Sequence, residues 1–213
     1  MSIDIAAIRT DYTLQTLSEH DVHQDPLIQF EHWFQNAVHS QIEDVNAMTL
    51  CTVDSQGKPH GRIVLLKGLE EESFIFFTNY LSHKGQEIHA NPFVSLVFYW
   101  KELQRQVRIE GCIQKISEQA SNNYFQSRPR ESQVGAWASL QSETLSERQI
   151  LEKRFEEISN THANKEIARP AHWGGYAVAP SCIEFWQGRA NRLHDRIMYK
   201  KVNADWRIER LYP

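Results

Sequence analysis

The run Met48-Thr49-Leu50-Cys51-Thr52-Val53-Asp54-Ser55-Gln56-Gly57-Lys58-Pro59-His60-Gly61-Arg62-Ile63-Val64-Leu65-Leu66-Lys67 changes the character of the chain. Two apolar segments, Met48–Val53 and His60–Lys67, flank Asp54-Ser55-Gln56-Gly57, whose residues favour a tight turn, so the run predicts two strands joined by that turn. The same punctuation continues outward on the C-terminal side. Strands are expected at Phe74–Thr78, Phe93–Trp100 and Gln104–Ile116, with a turn at Gly68–Ser73. Four more are expected at Gly175–Val178, Ile183–Gln187, Arg192–Tyr199 and Trp206–Leu211. Tight turns and few intervening helices predict a mainly β, α+β architecture: an antiparallel sheet or barrel with peripheral helices.

Helices are expected at the margins. Asp25-Pro26 reads as an N-cap followed by proline in the first turn, opening a helix to about Asp44 with Leu27, Phe30, Phe34 and Val38 on its core face. Ser82 to Ala90 reads as a short helix, and helices are expected to dominate from about Ser117 to Thr161, one of them opened by a Ser146/Gln149 capping box. Residues 1–24 are polar and read as an arm. Residues 25–213 read as a single domain, with 172–213 its C-terminal strand section.

The 213 residues carry a formal charge of −4, which disfavours a dedicated nucleic-acid binder. The charge is uneven: residues 1–60 hold two basic and nine acidic residues, whereas 189–210 hold seven basic and three acidic. No apolar run is long enough to span a bilayer and the first residues lack signal-peptide order, so a cytoplasmic protein with no membrane partner is expected. Cys51, Cys112 and Cys182 are widely spaced, and the pair His20 and His23 lacks a third ligand in register, so no metal site is expected. Nucleotide-binding glycine motifs, zincin motifs and the serine-hydrolase elbow are absent, leaving side-chain cations and turn amides as the means of holding phosphate.

Three clusters carry such groups. Arg62 and Lys67 bracket an apolar run five residues apart, which puts them on opposite faces of a regular strand; they serve the ends of one ligand, two different groups, or solvent. Tyr124, Arg128 and Ser132 recur every four residues and share a face on a helical path that Pro129 interrupts. They suit a phosphate or carboxylate, and equally an exposed helix end. Arg192, His194 and Arg196 alternate near Trp186, which in a strand puts two guanidiniums and an imidazole on one face, towards an anion or water.

In order along the chain, Arg9-x-x-Tyr12, Arg62–Lys67, Phe77-Thr78-Asn79, Ser82-x-Lys84, Arg105-Gln106-Val107, Tyr124 through Trp137, Gln141-Ser142, Glu184–Gly188 and Arg192–Arg196 resemble the pyridoxamine/pyridoxine 5′-phosphate oxidase family. The resemblance implies an FMN-binding split β-barrel acting as a homodimer, with each flavin site built from both subunits. It implies hydride transfer from pyridoxamine or pyridoxine 5′-phosphate to FMN, giving pyridoxal 5′-phosphate, with O₂ reduced to hydrogen peroxide. Carried over residue by residue, it assigns FMN to Arg62, Ile63, Val64, Leu65, Leu66, Lys67, Phe77, Thr78, His83, Lys84, Gln106, Gln141, Ser142, Trp186 and Arg196. It assigns substrate to Arg9, Tyr12, Lys67, Tyr124, Arg128, Ser132, Arg192, Leu193 and His194, with Arg192 and His194 at the reacting ring and the first two in a mobile lid. On this assignment Arg62 and Lys67 serve different phosphates, and the basic 189–210 segment supplies positive charge for two phosphorylated ligands. His83 departs from the family pattern, which has arginine there. The other readings are a flavin oxidase of the phenazine type and a non-catalytic flavin-binding protein.

Overall fold

The computed structural model describes residues 4–7, 11–163 and 165–213; Arg9, expected in the lid, lies outside the described residues. Among the described residues nine strands form one sheet: β1 (Ala47–Val53), β2 (Pro59–Leu65), β3 (Gly68–Glu70), β4 (Ser73–Asn79), β5 (Phe93–Trp100), β6 (Arg105–Lys115), β7 (Trp173–Gln187), β8 (Asp195–Val202) and β9 (Asp205–Leu211). Their order is β2-β1-β5-β6-β7-β4-β3, with β8 pairing β7 and β9. The pairs β3–β4, β4–β7, β7–β8 and β8–β9 are antiparallel, as expected. The described residues also form five α-helices: α1 (Pro26–His39), α2 (His83–Ala90), α3 (Glu118–Ser127), α4 (Arg130–Ala138) and α5 (Arg148–Thr161). Among the described residues no helix is long and apolar enough to cross a membrane.

The opening hairpin forms as read. Asp54 Oδ1 accepts from the N–H groups of Gln56 and Lys58, and Gly57 supplies a positive φ of 81°. Elsewhere local chemistry moves boundaries. The expected turn Gly68–Ser73 shrinks to Glu71-Glu72, both at positive φ, so Gly68–Glu70 pair as β3. The two strands expected at 175–178 and 183–187 are one 15-residue strand. Pro180 causes no break, because the β4 ladder covers 173–178 and the β8 ladder 182–187, leaving the proline between them. Helix α1 ends at His39 rather than near Asp44, since Gln41 takes a left-handed φ of 54°. Its core stripe is Pro26, Gln29, Phe30, Trp33 and Ala37, while Val38 stays half exposed. The capping box at Ser146 does not form: Glu147 is the N-cap and its side chain makes no capping bond.

Two compact units emerge from the chain's contacts. One comprises residues up to Thr49, Ser95–Glu110 and Pro180–Pro213. Its core is aromatic, with Phe30 against Phe98 at 5.1 Å, Trp33 against Phe185 at 5.2 Å and Phe185 against Tyr199 at 5.6 Å between ring centres. Buried Arg105 lies 4.2 Å over Trp33 and donates to Gln187, Asn36 and Gln15. The other unit comprises Leu50–Val94 and Gly111–Ala179. It buries Phe125, Val134, Ile167 and Trp173 together, and packs Phe76 against Tyr176.

Candidate functional site

In the second unit the ends of β2 and β4, the start of α2 and the α3–α4 junction surround a cavity of about 620 Å³. It brings together eleven of the expected site residues: Ile63, Val64, Leu65, Lys67, Phe77, Thr78, Lys84, Tyr124, Arg128, Ser132 and Gln141. Arg62, Leu66, His83 and Ser142 belong to the same unit but do not line it.

Lys84 reaches the cavity because Ser82 caps α2 and fixes its first turn. The buried ammonium donates to Thr78 Oγ1 (3.2 Å), Ser82 Oγ (3.3 Å) and Gln141 Oε1 (3.0 Å), all neutral acceptors. Burial, reinforced by the charge of Arg62 and opposed by Glu87, lowers its pKa to about 8. Such an ammonium lacks an anion.

The second cation is Arg128, the C-cap of α3. Pro129 does break the helical path, yet Tyr124, Arg128 and Ser132 all line the cavity because α4 starts immediately beyond it. Gln133 holds the junction by donating from Nε2 to the carbonyls of Phe125, Gln126 and Arg128. The guanidinium lies 4.4 Å over Trp173, which continues a stack through Phe77 and Tyr124. Burial lowers the Arg128 pKa, and its Nη1 is buried without a hydrogen-bond partner. A buried guanidinium nitrogen without an acceptor is costly unless a ligand supplies one. Two desolvated cations in one cavity, neither paired with a carboxylate among the described residues, fit the oxygens of anionic ligand groups such as phosphate or carboxylate.

Arg62 turns to the protein. Nη2 donates to Glu87 Oε2 (3.1 Å), while Nη1 donates to Thr52 Oγ1 and to the carbonyls of Leu50 and His60. Sequence reasoning missed Glu87, Thr52, His60 and Gln133; the one available signal was Glu87 three residues after Lys84, on the same helical face.

The first unit holds Tyr12, Gln106, Trp186, Arg192, Leu193, His194 and Arg196. The expected strand alternation of Arg192, His194 and Arg196 is not found. Asn191 and Arg192 both have positive φ in a 3₁₀ turn, Ala190–Arg192, and β8 begins only at Asp195. His194 closes this loop by accepting from the Arg189 N–H at Nδ1 (3.1 Å), which leaves Nε2 to carry the proton of the neutral ring. Burial, then the Arg192 charge, lowers the His194 pKa and favours that neutral form. Its ring lies 4.5 Å from Trp186, and Tyr12 sits edge-on to both at 5.8 Å. Leu193 and Arg192 are exposed, and Gln106 is half-buried on β6. Arg196 is gripped at both nitrogens by buried Glu184, at 2.7 and 3.1 Å. Asp195 ties the arm down, accepting from the Leu17 N–H, Arg189 and Arg210.

Residues 34–162 match the family model for pyridoxamine 5′-phosphate oxidase, and residues 173–213 match that for the pyridoxine 5′-phosphate oxidase C-terminal dimerisation region. A pyridoxine/pyridoxamine 5′-phosphate oxidase of Leptospira interrogans is 53% identical over 214 aligned positions, covering 100% of both chains. One from Nostoc punctiforme is 52% identical over the same span, again with complete coverage of both. The crystal structure of PhzG from Burkholderia lata 383, in complex with tetrahydrophenazine-1-carboxylic acid, matches with a TM-score of 0.88 at 26% identity, covering 94% of this chain and 99% of its own. Matched over most of its length and about half identical to full-length relatives, the chain belongs to the pyridoxamine 5′-phosphate oxidase family and has its split β-barrel fold.

Proposed function

We propose that this chain is a cytoplasmic, homodimeric FMN enzyme that oxidises pyridoxamine 5′-phosphate and pyridoxine 5′-phosphate to pyridoxal 5′-phosphate, with O₂ as electron acceptor. The observation that carries the reading is the buried, unpartnered Nη1 of Arg128 in a cavity shared with Lys67, Tyr124 and Ser132. A guanidinium, an ammonium and two hydroxyls there suit a dianionic phosphate, and an aromatic substrate with no anionic group leaves Arg128 unsatisfied. The amine reaction consumes water and O₂ and releases ammonia and hydrogen peroxide; the alcohol reaction consumes O₂ and releases hydrogen peroxide.

Family members bind FMN. In this proposal Lys84 and Arg62 hold its phosphate with Thr78 and Gln141, and the Ile63–Leu66 backbone, Phe77, Gln106, Ser142, Trp186 and Arg196 line the rest. When bound, the flavin supplies the redox chemistry: it takes a hydride equivalent from the substrate and passes both electrons to O₂. The chain's own residues bind and orient. Lys67, Tyr124, Arg128 and Ser132 anchor the substrate by its phosphate, far from the reacting carbon, so that binding energy is spent on alignment. Arg192 covers the pyridine ring and neutral His194 donates from Nε2 to its polar edge. Tyr12, seated against Trp186 and His194, is the lid side chain that excludes water.

Mixing the purified protein with pyridoxamine 5′-phosphate under air tests this. Formation of pyridoxal 5′-phosphate with equimolar peroxide is the expected result. A yellow but inert protein identifies a flavin carrier, and turnover confined to phenazine precursors identifies the PhzG-like alternative.

A further inference from the structure

Among the described residues, Glu87 is a buried carboxylate with three donors around it. Oε1 lies 2.6 Å from His60 Nδ1, and Oε2 accepts from Thr52 Oγ1 at 2.5 Å and Arg62 Nη2 at 3.1 Å. Helix α2 puts it one turn beyond Lys84, so the two point from one face of the same short helix. Thr52, itself buried on β1, touches both Glu87 and Arg62. Together with two backbone carbonyls these groups occupy the Nη1–Nη2 edge of the Arg62 guanidinium. Among the described residues nothing is seen accepting from Nε.

We propose that Glu87, assisted by Thr52, is a positioning residue for flavin phosphate: it clamps one edge of Arg62 and presents the Nε edge to the phosphate oxygens. The proposal rests on the FMN reading above. An arginine has many rotamers, and one already fixed by a buried carboxylate loses little further freedom when the ligand arrives. The clamp also offsets the repulsion between Arg62 and Lys84, which lets two cations share the subsite before phosphate arrives. A merely architectural ion pair, tying α2 to the sheet, makes a different prediction: its loss weakens every flavin alike.

The experiment titrates FMN and riboflavin, which lacks the phosphate, into the full-length chain stripped of flavin, following flavin fluorescence. For Glu87→Ala, FMN affinity is expected to fall about tenfold or more while riboflavin affinity stays within about twofold. Glu87→Gln, which loses the same charge but keeps an acceptor for Arg62, is expected to recover part of the loss. Thr52→Val, a milder change, is expected to shift the FMN-to-riboflavin ratio in the same direction even if Glu87→Ala folds poorly. Equal losses for both flavins, identical behaviour of the Ala and Gln variants, or tighter FMN binding on removal of the charge each overturn the positioning role. A wild-type chain that binds neither flavin overturns the FMN reading itself, whereas normal wild-type binding with unchanged variants overturns this proposal alone.

Discussion

Lys84 and Arg128 are both costly residues where they line the cavity, and the cost is measurable in each. The Lys84 pKa, lowered to about 8, means that the folded chain binds fewer protons than the unfolded chain between about pH 8 and 10.5, so this group makes the ligand-free protein more stable as pH rises through that window. A phosphate beside it restores the proton. Calorimetric titration of FMN at pH 8.5 in buffers of different ionisation enthalpy is therefore expected to show uptake of up to about three-quarters of a proton, abolished by Lys84→Met. Arg128→Met is expected to raise the Tm of the ligand-free chain, because a buried unpaired nitrogen is removed, and to raise KM for pyridoxamine 5′-phosphate about a hundredfold while FMN binding persists. Arg192→Ala is expected to lose most turnover with FMN retained; full activity in that variant excludes a role for Arg192 at the ring. At this scale the four-residue spacing of Tyr124, Arg128 and Ser132 disclosed one cation, whereas Lys84, set among polar residues, was reached only through the family resemblance. The sequence did not disclose Glu87 or Gln133, since a glutamate or glutamine in a polar helix looks the same whether it faces solvent or a buried arginine.

Helix α2 carries both Lys84 and Glu87, and it is only eight residues long. Its approach to the chain before it is set by Gly85, where a Cβ would stand 2.1 Å from the Tyr80 carbonyl oxygen. Because that contact is to backbone, Gly85→Ala is expected to displace the helix, costing about 2–3 kcal/mol in thermal unfolding of the ligand-free chain and weakening FMN binding. Capping made α2 legible: Ser82 precedes it and Asn91-Pro92 closes it. The 189–194 segment was not legible. Alternating Arg192, His194 and Arg196 mimic a strand, but the bond from Arg189 N–H to His194 closes a loop instead, and no local pattern announces a contact made by a histidine ring. The α3–α4 junction was half legible, since Pro129 marked the break while the convergence of Tyr124 and Ser132 across it depended on the direction of the next helix.

At the scale of the molecule, the basic 189–210 segment has a different role from the one its charge implied. Arg189, Arg196, Arg207 and Arg210 all meet carboxylates, and Arg210 holds Glu19 of the arm by two bonds. Most of this charge secures the arm and the C-terminal strands rather than waiting for phosphate, and the acidic character of residues 1–60 is partly its complement. If each active site draws its phosphate anchors from one subunit and its ring contacts from the other, two impaired variants should repair each other when assayed at substrate far below the KM of Arg128→Met. Mixing Arg128→Met with Arg192→Ala under conditions of subunit exchange is expected to restore about a quarter of wild-type activity, since half of the dimers become mixed and each carries one intact site. No recovery places both sets of residues within one chain.

The stack of Phe77, Tyr124 and Trp173 also has an optical consequence. The Tyr124 and Trp173 rings are nearly parallel, 5° apart with centres 6.2 Å from each other, and the Arg128 charge lies over the indole face. Light absorbed by the phenol is expected to pass to the indole across so short a gap, and the indole's emission is expected to follow the field of the guanidinium above it. An anion that neutralised Arg128 would change that field, so a shift in indole emission on titration with phosphate is the expected optical signature of its arrival.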